Sequence, residues 1–105
     1  MAKAIIIGSG IAGLATAIRL SCKGYDVEVF EANTYVGGKL SSFNLGSYKF
    51  NFGPQLLTMP HYIDELFELC GELPSDKFIY KKKEISCKYF WDDGIKLTAY
   101  SNKKK

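Results

Sequence analysis

The stretch Lys3 to Leu20, KAIIIGSGIAGLATAIRL, decides the fold. Ala4, Ile5, Ile6 and Ile7 form a short, mostly β-branched run, the pattern of a parallel strand buried on both faces. Gly8, Gly10 and Gly13 follow at G-x-G-x-x-G spacing, with Ser9 inside the same turn. Gly8 permits the sharp exit from the strand. Gly10 lets the backbone approach a pyrophosphate with no Cβ in the way, and Gly13 lets the next element pack closely on the sheet. Leu14, Ala15, Ala17, Ile18 and Leu20 then continue at helical spacing. The stretch reads as strand, tight turn, helix, and the helix start at Ile11 and Ala12 offers unpaired N–H groups and the positive dipole end to phosphates.

One element later, Lys23 to Asp26 make a turn and Val27 to Phe30 a second strand ending at Glu31. That completes a βαβ unit of about 30 residues. An acid at this place, roughly 20 residues past the glycines, accepts hydrogen bonds from a ribose 2′-OH, and Ala32 beside it joins the same candidate set. A ribose bearing a 2′-phosphate is repelled there, so FAD or NAD is favoured over NADP.

The chain has 105 residues, enough for one small domain, yet a doubly wound sheet has five or six strands and only two parallel ones are evident. The sheet is therefore expected to be incomplete. With 47% apolar and 24% charged residues the composition excludes disorder for most of the chain. The net charge of +3 is concentrated in Lys81 to Lys83 and Lys103 to Lys105. These runs read as solvated faces. No nucleic-acid-binding module accompanies them, and contact with an anionic membrane surface would be peripheral. Cys22, Cys70 and Cys87 lie far apart without metal-ligand spacing, and read as reduced intracellular thiols, two of them buried. No signal peptide, transmembrane span or metal site is read, and the expected location is cytoplasmic.

Past Ala32 the chain reaches Gly37-Gly38-Lys39, a turn whose paired glycines allow another close backbone approach. Leu40 to Leu45 and Tyr48 to Phe52 read as two short strands around Gly46-Ser47, with Tyr48, Phe50 and Phe52 on one face. Gly53-Pro54 stops the second of them. Pro60 opens a helix through about Cys70, in which Ile63, Leu66, Phe67 and Cys70 share a stripe. His61 in its first turn has no partner for catalysis. Leu73 to Ser75 read as a connection, Phe78 to Tyr80 as β-like, and Ile85 to Trp91 and Ile95 to Tyr100 as a hairpin turned at Asp92-Asp93-Gly94.

With these residues in hand, the sequence resembles the N-terminal part of FAD-dependent amine-oxidase-like flavoproteins, and more narrowly the bacterial-type phytoene desaturases and related carotenoid oxidoreductases. The resemblance covers nearly the whole chain. It rests on IGSGIAGL at Ile7 to Leu14, Glu31, VGGKL at Val36 to Leu40, YKFNFGPQLLTMP at Tyr48 to Pro60 and the FWDDG turn. It implies that Gly8, Ser9, Gly10, Ile11, Ala12, Gly13, Glu31 and Ala32 hold the ADP half of FAD. Gly37, Gly38 and Lys39 would border the pyrophosphate and ribityl chain, and Gly53-Pro54 would approach the flavin ring. Asn51 stands where the family usually has an aspartate, and no catalytic base is nominated.

The fold class expected is α/β: a Rossmann-like βαβ FAD-binding unit with an incomplete parallel sheet over residues 1–60, followed at 61–105 by an amphipathic helix and a hairpin that start an antiparallel β-rich substrate domain. The resemblance implies FAD-dependent hydride transfer between a carotenoid or other polyene lipid and flavin, with this chain an inactive or incomplete N-terminal fragment. Two other readings are an amine-oxidase-like or protoporphyrinogen-oxidase-like fragment, and a stand-alone dinucleotide-binding module with a complementing second half.

Overall fold

In the computed structural model, residues 1–102 are described; Lys103 to Lys105, read as part of a frayed end, lie outside the described residues. Strand β1 (Lys3–Ile7), helix α1 (Ile11–Cys22) and strand β2 (Asp26–Phe30) form a βαβ unit. The strands pair in parallel, Ala4 opposite Val27 and Ile6 opposite Val29, which places these four residues on the face that α1 covers. Val27 is half-buried while Val29 remains partly open.

The opposite face carries Lys3, Ile5, Ile7, Glu28 and Phe30. Burial of β1 on both faces, as its composition predicts, is not what the structure shows: Ile5 is 61% and Ile7 89% exposed. Among the described residues only the Lys3–Glu28 ion pair, 2.7 Å long, dresses this side. A contiguous apolar strand face in water promotes association. Ile5→Lys, opposite Glu28 in the register, is expected to weaken self-association of the 11.8 kDa chain about tenfold, as one isoleucine side chain withdrawn from burial should. Light scattering across a concentration series reads this directly, and an unchanged association constant would place the contact elsewhere.

Beyond β2 the chain makes two separate hairpins. Strands β3 (Ser41–Leu45) and β4 (Tyr48–Phe52) pair antiparallel with Phe43 opposite Phe50. Their rings stack at 5.5 Å, and Phe52 meets Phe43 edge-on at 6.1 Å. Strands β5 (Ile85–Phe90) and β6 (Lys96–Tyr100) form the second hairpin at the predicted Asp-Gly turn, with a register irregularity between Ile85 and Cys87. Among the described residues neither hairpin packs on another helix or strand. The molecule is correspondingly drawn out, with a radius of gyration of 18.5 Å against about 13 Å for a packed domain of this length.

Between the hairpins lie α2 (His61–Leu69) and the single turn α3 (Pro74–Lys77). Helix α2 presents the predicted stripe, and Leu66 on it is the one buried apolar side chain among the described residues. The segment read as a plain connection contains α3, because Pro74 fits a first helical position. The β-like Phe78 to Tyr80 has no strand partner; the Tyr80 hydroxyl donates to the Asp64 carboxylate at 2.9 Å instead.

The cysteines also depart from expectation. The structure joins Cys22 to Cys70 in a disulfide with Cα atoms 5.5 Å apart, both residues exposed, and leaves Cys87 free and half-buried. Their 48-residue separation hides that α1 and α2 end side by side.

Candidate dinucleotide-binding site

The turn from β1 into α1 is held from three sides. The Gly8 N–H extends the parallel ladder by donating to the Phe30 carbonyl at 2.7 Å, and Gly8 takes φ +95°, a left-handed conformation costly for any residue with a Cβ. On the far side, the Gly37 N–H donates to the Ser9 carbonyl at 2.8 Å, and Gly10 and Gly37 form an isolated parallel bridge. The paired-glycine turn thus lies directly against the first glycine turn. A Cβ on Gly38 would come within 3.1 Å of the Gly10 Cα.

The third support is Glu31, and it is not simply an acid facing outward. One carboxylate oxygen accepts from the Ser9 N–H at 2.8 Å and the Ser9 hydroxyl at 2.7 Å. The other accepts from the Asn33 N–H at 2.9 Å and the Asn33 side-chain amide at 3.0 Å. Ser9 is 1% exposed, so its amide and hydroxyl depend on that oxygen. The Asn33 backbone bond, then the Ser9 bonds, lower the Glu31 pKa from 4.5 to about 2. The carboxylate therefore stays charged at neutral pH. A ribose hydroxyl reaching it shares or displaces one of these four bonds, and the Asn33 side chain is the partner most easily turned aside. Sequence reasoning missed Asn33; the signal available was an Asn two residues past the acid, a residue type prone to local side-chain turns.

At the helix start, Gly10 is the N-cap with no side-chain cap, and no acid lies in the first turn of α1. The first intrahelical bond of the turn runs from the Leu14 N–H to the Gly10 carbonyl at 2.9 Å. The N–H groups of Ile11, Ala12 and Gly13 are left to an outside acceptor, at the positive end of a 12-residue helix. A Cβ built on Gly10 meets nothing within 4 Å, whereas one on Gly13 collides with the Gly8 carbonyl oxygen. The two glycines do different work: Gly13 is required by the protein's own packing, and Gly10 keeps free the space above the amides. This donor set, uncapped and with no acid in the first turn of the helix, fits a pyrophosphate.

The second group of candidates lies one step along. Lys39 is exposed, and its ammonium has no ion-pair partner among the described residues. Its carbonyl oxygen packs against Gly53, where a Cβ would strike it; Gly53 has φ +113°. This contact draws the Gly37-Gly38-Lys39 turn and the Gly53-Pro54 loop together. Beside it opens a cleft of about 660 Å³ whose lining includes Tyr35, Val36, Leu40, Asn51, Phe52 and Pro54. The glycines of the first turn and Glu31 do not line it. Ala32 is exposed in the bend after the acid, and His61 is an exposed helix-start residue with its ring 4.3 Å from that of Tyr62.

A parallel strand, glycine turn and helix whose free amides point into open space, with a charged acid closing the second strand, define a dinucleotide-binding βαβ protein. The chain belongs to the NAD(P)-binding Rossmann-like domain family, which it matches over residues 6–73. It is also similar to carotenoid enzymes. Over 99 residues it is 58% identical to the 1-hydroxycarotenoid 3,4-desaturase of Flavobacterium sp. (strain P99-3), covering 94% of this chain and 20% of that protein. Over 101 residues it is 35% identical to the 4,4′-diaponeurosporene oxygenase of Staphylococcus aureus (strain Mu50 / ATCC 700699), covering 96% of this chain and 20% of that protein. The chain thus spans about a fifth of the length of the curated relatives it matches. Among the described residues no helix is long and apolar enough to cross a membrane.

Proposed function

We propose that this chain is the FAD-binding part of a phytoene-desaturase-type oxidoreductase that acts on a carotenoid or another polyene lipid. The observation that carries the reading is the uncapped start of α1, with the Ile11, Ala12 and Gly13 amides open and nothing beyond the adjoining residues within 4 Å of the place a Gly10 Cβ would occupy. The similarity to two carotenoid enzymes supports the substrate class.

On this reading the first glycine turn and the α1 N-terminus bind the pyrophosphate. Glu31 orients the adenosine ribose and by its charge disfavours a 2′-phosphate. Gly37, Gly38 and Lys39 carry the backbone from the pyrophosphate towards the cleft, and Gly53-Pro54 with Asn51 and Phe52 form the wall near the ring. The chemistry a bound flavin supplies is two-electron acceptance from a CH–CH unit of the polyene. This chain's part is to hold and orient it. Because such a substrate is a lipid, we place the working protein in the cytoplasm with peripheral membrane contact, in which Lys81 to Lys83 face anionic headgroups.

Titrating the 105-residue chain with FAD while following flavin fluorescence tests the cofactor assignment. Saturable quenching, reversed by ADP and poorly by NADP, is expected. Absence of binding in a chain that circular dichroism shows to be folded, or a preference for NADP, would overturn it.

A further inference from the structure

We propose that Cys22 and Cys70 form a redox-reversible staple that fastens α2 to the βαβ unit and so sets the position of the segment lining the cleft. Cys22 is the last residue of α1 and Cys70 caps the C-terminus of α2. Apart from the disulfide, the polar contact between these helices among the described residues is the Arg19–Glu65 ion pair at 3.9 Å, with both side chains about half exposed. An exposed pair at that distance contributes little. Among the described residues Leu66 is the single buried apolar side chain on α2, with Ile63 and Phe67 half-buried beside it. The sulfur bridge is thus the covalent fastening between α1 and α2.

What α2 carries with it gives the staple a consequence. The helix follows directly on residues 53–60, the stretch containing Gly53 and Pro54, and Pro54 lines the cleft. Met59, two residues before α2, has φ 54°, a left-handed conformation that a non-glycine residue holds only when its surroundings impose it. The Tyr62 N–H donates to the Met59 carbonyl at 3.2 Å and ties this turn to the start of α2, so a shift of α2 is passed on to it. Reduction therefore frees a hinge at Met59 and loosens the wall at Pro54, while β1, α1 and β2 keep their own ladder and packing.

The chemistry is thiol–disulfide exchange. Two cysteine thiols and one small-molecule disulfide, such as oxidised glutathione, give the Cys22–Cys70 disulfide and two small-molecule thiols; the protein loses two protons and two electrons, and the glutathione disulfide takes them up. Both cysteines are exposed and open to such a reagent. The half-buried Cys87 lies on the second hairpin and takes no part.

The test is to equilibrate the full chain in oxidised or reduced glutathione, quench with an alkylating reagent, map the peptides, and follow hydrogen exchange in parallel without any cofactor. In the oxidised buffer Cys87 alone should be alkylated and the Cys22 and Cys70 peptides recovered linked. Reduction should expose all three thiols and speed exchange across 55–70 by roughly 30-fold, the lower end of what a disulfide contributes, with β1 and β2 unchanged. Cys22→Ser should show the fast exchange in both buffers, and Cys87→Ser should behave as the parent. Alkylation of Cys22 and Cys70 in the oxidised buffer, linkage of either to Cys87, or exchange across 55–70 that ignores reduction would overturn the staple. None of these outcomes depends on flavin binding.

Discussion

Gly13→Ala is expected to lower the unfolding free energy by about 2 kcal/mol and to abolish dinucleotide binding with it. A Cβ at Gly13 collides with the Gly8 carbonyl oxygen and comes within 3.1 Å of the Gly8 carbonyl carbon. The obstacle is backbone, so no side chain can swing aside. Gly8 cannot retreat either, because its N–H is committed to the Phe30 carbonyl at 2.7 Å. Alanine's helix propensity returns about 1 kcal/mol, less than the overpacking removes, since α1 must lift from Ile6 to admit the methyl group. Gly10→Ala is the contrasting case. Its φ of −69° suits any L-residue and its Cβ meets nothing within 4 Å. Stability should hold or rise by about 0.5 kcal/mol through the stiffer unfolded chain, while affinity for FAD falls about tenfold as the methyl group enters the space above the amides. Urea melts and FAD titrations of both variants separate the roles. A Gly10→Ala chain that binds as well as the parent would show that this space is not where the pyrophosphate lies.

The parts of the fold legible in the sequence are those whose causes are local. The β-branched run into glycines, the helical spacing after them and the return strand place β1 and β2 within a residue of their ends and α1 within two. The Asp92-Asp93-Gly94 turn places the β5–β6 hairpin in the same way. What the sequence hides is long-range. Nothing in the spacing of Cys22 and Cys70 shows that two helices end side by side. The residues around Glu31 allow an acid aimed at a ribose, but only the folded chain shows its oxygens already occupied by Ser9 and Asn33. Phe78 to Tyr80 have strand composition without a strand to pair with, since a ladder needs a partner as well as propensity. The isoleucines of β1 show the converse: composition marks them for burial, and among the described residues the face carrying Ile5 and Ile7 meets no other element.

Glu31 should give the chain an acid limb that Glu31→Gln removes. Its pKa is about 2 in the folded chain and 4.5 without these hydrogen bonds. The unfolded chain therefore binds more protons in that interval, and the stability that Glu31 confers is complete above pH 4.5 and lost as the pH falls through about 2. Denaturant midpoints recorded across this window should fall steadily in the parent, corresponding to up to about one proton taken up on unfolding. In Glu31→Gln the same stretch should be flatter, and the whole curve should lie lower at neutral pH. The amide cannot replace the carboxylate, because all four groups on Ser9 and Asn33 donate to it and a glutamine offers one acceptor oxygen and an NH2 group that only donates. Whichever way the amide turns, its NH2 faces donors on one side, either at Ser9, which is 1% exposed, or at Asn33. The same change removes the charge that disfavours a 2′-phosphate, so the preference for FAD over NADP should narrow in step. An acid limb that persists unchanged in Glu31→Gln would assign the titration to another carboxylate, and the glycine turn would then rest on its backbone bonds alone, Gly8 to Phe30 and Gly37 to Ser9.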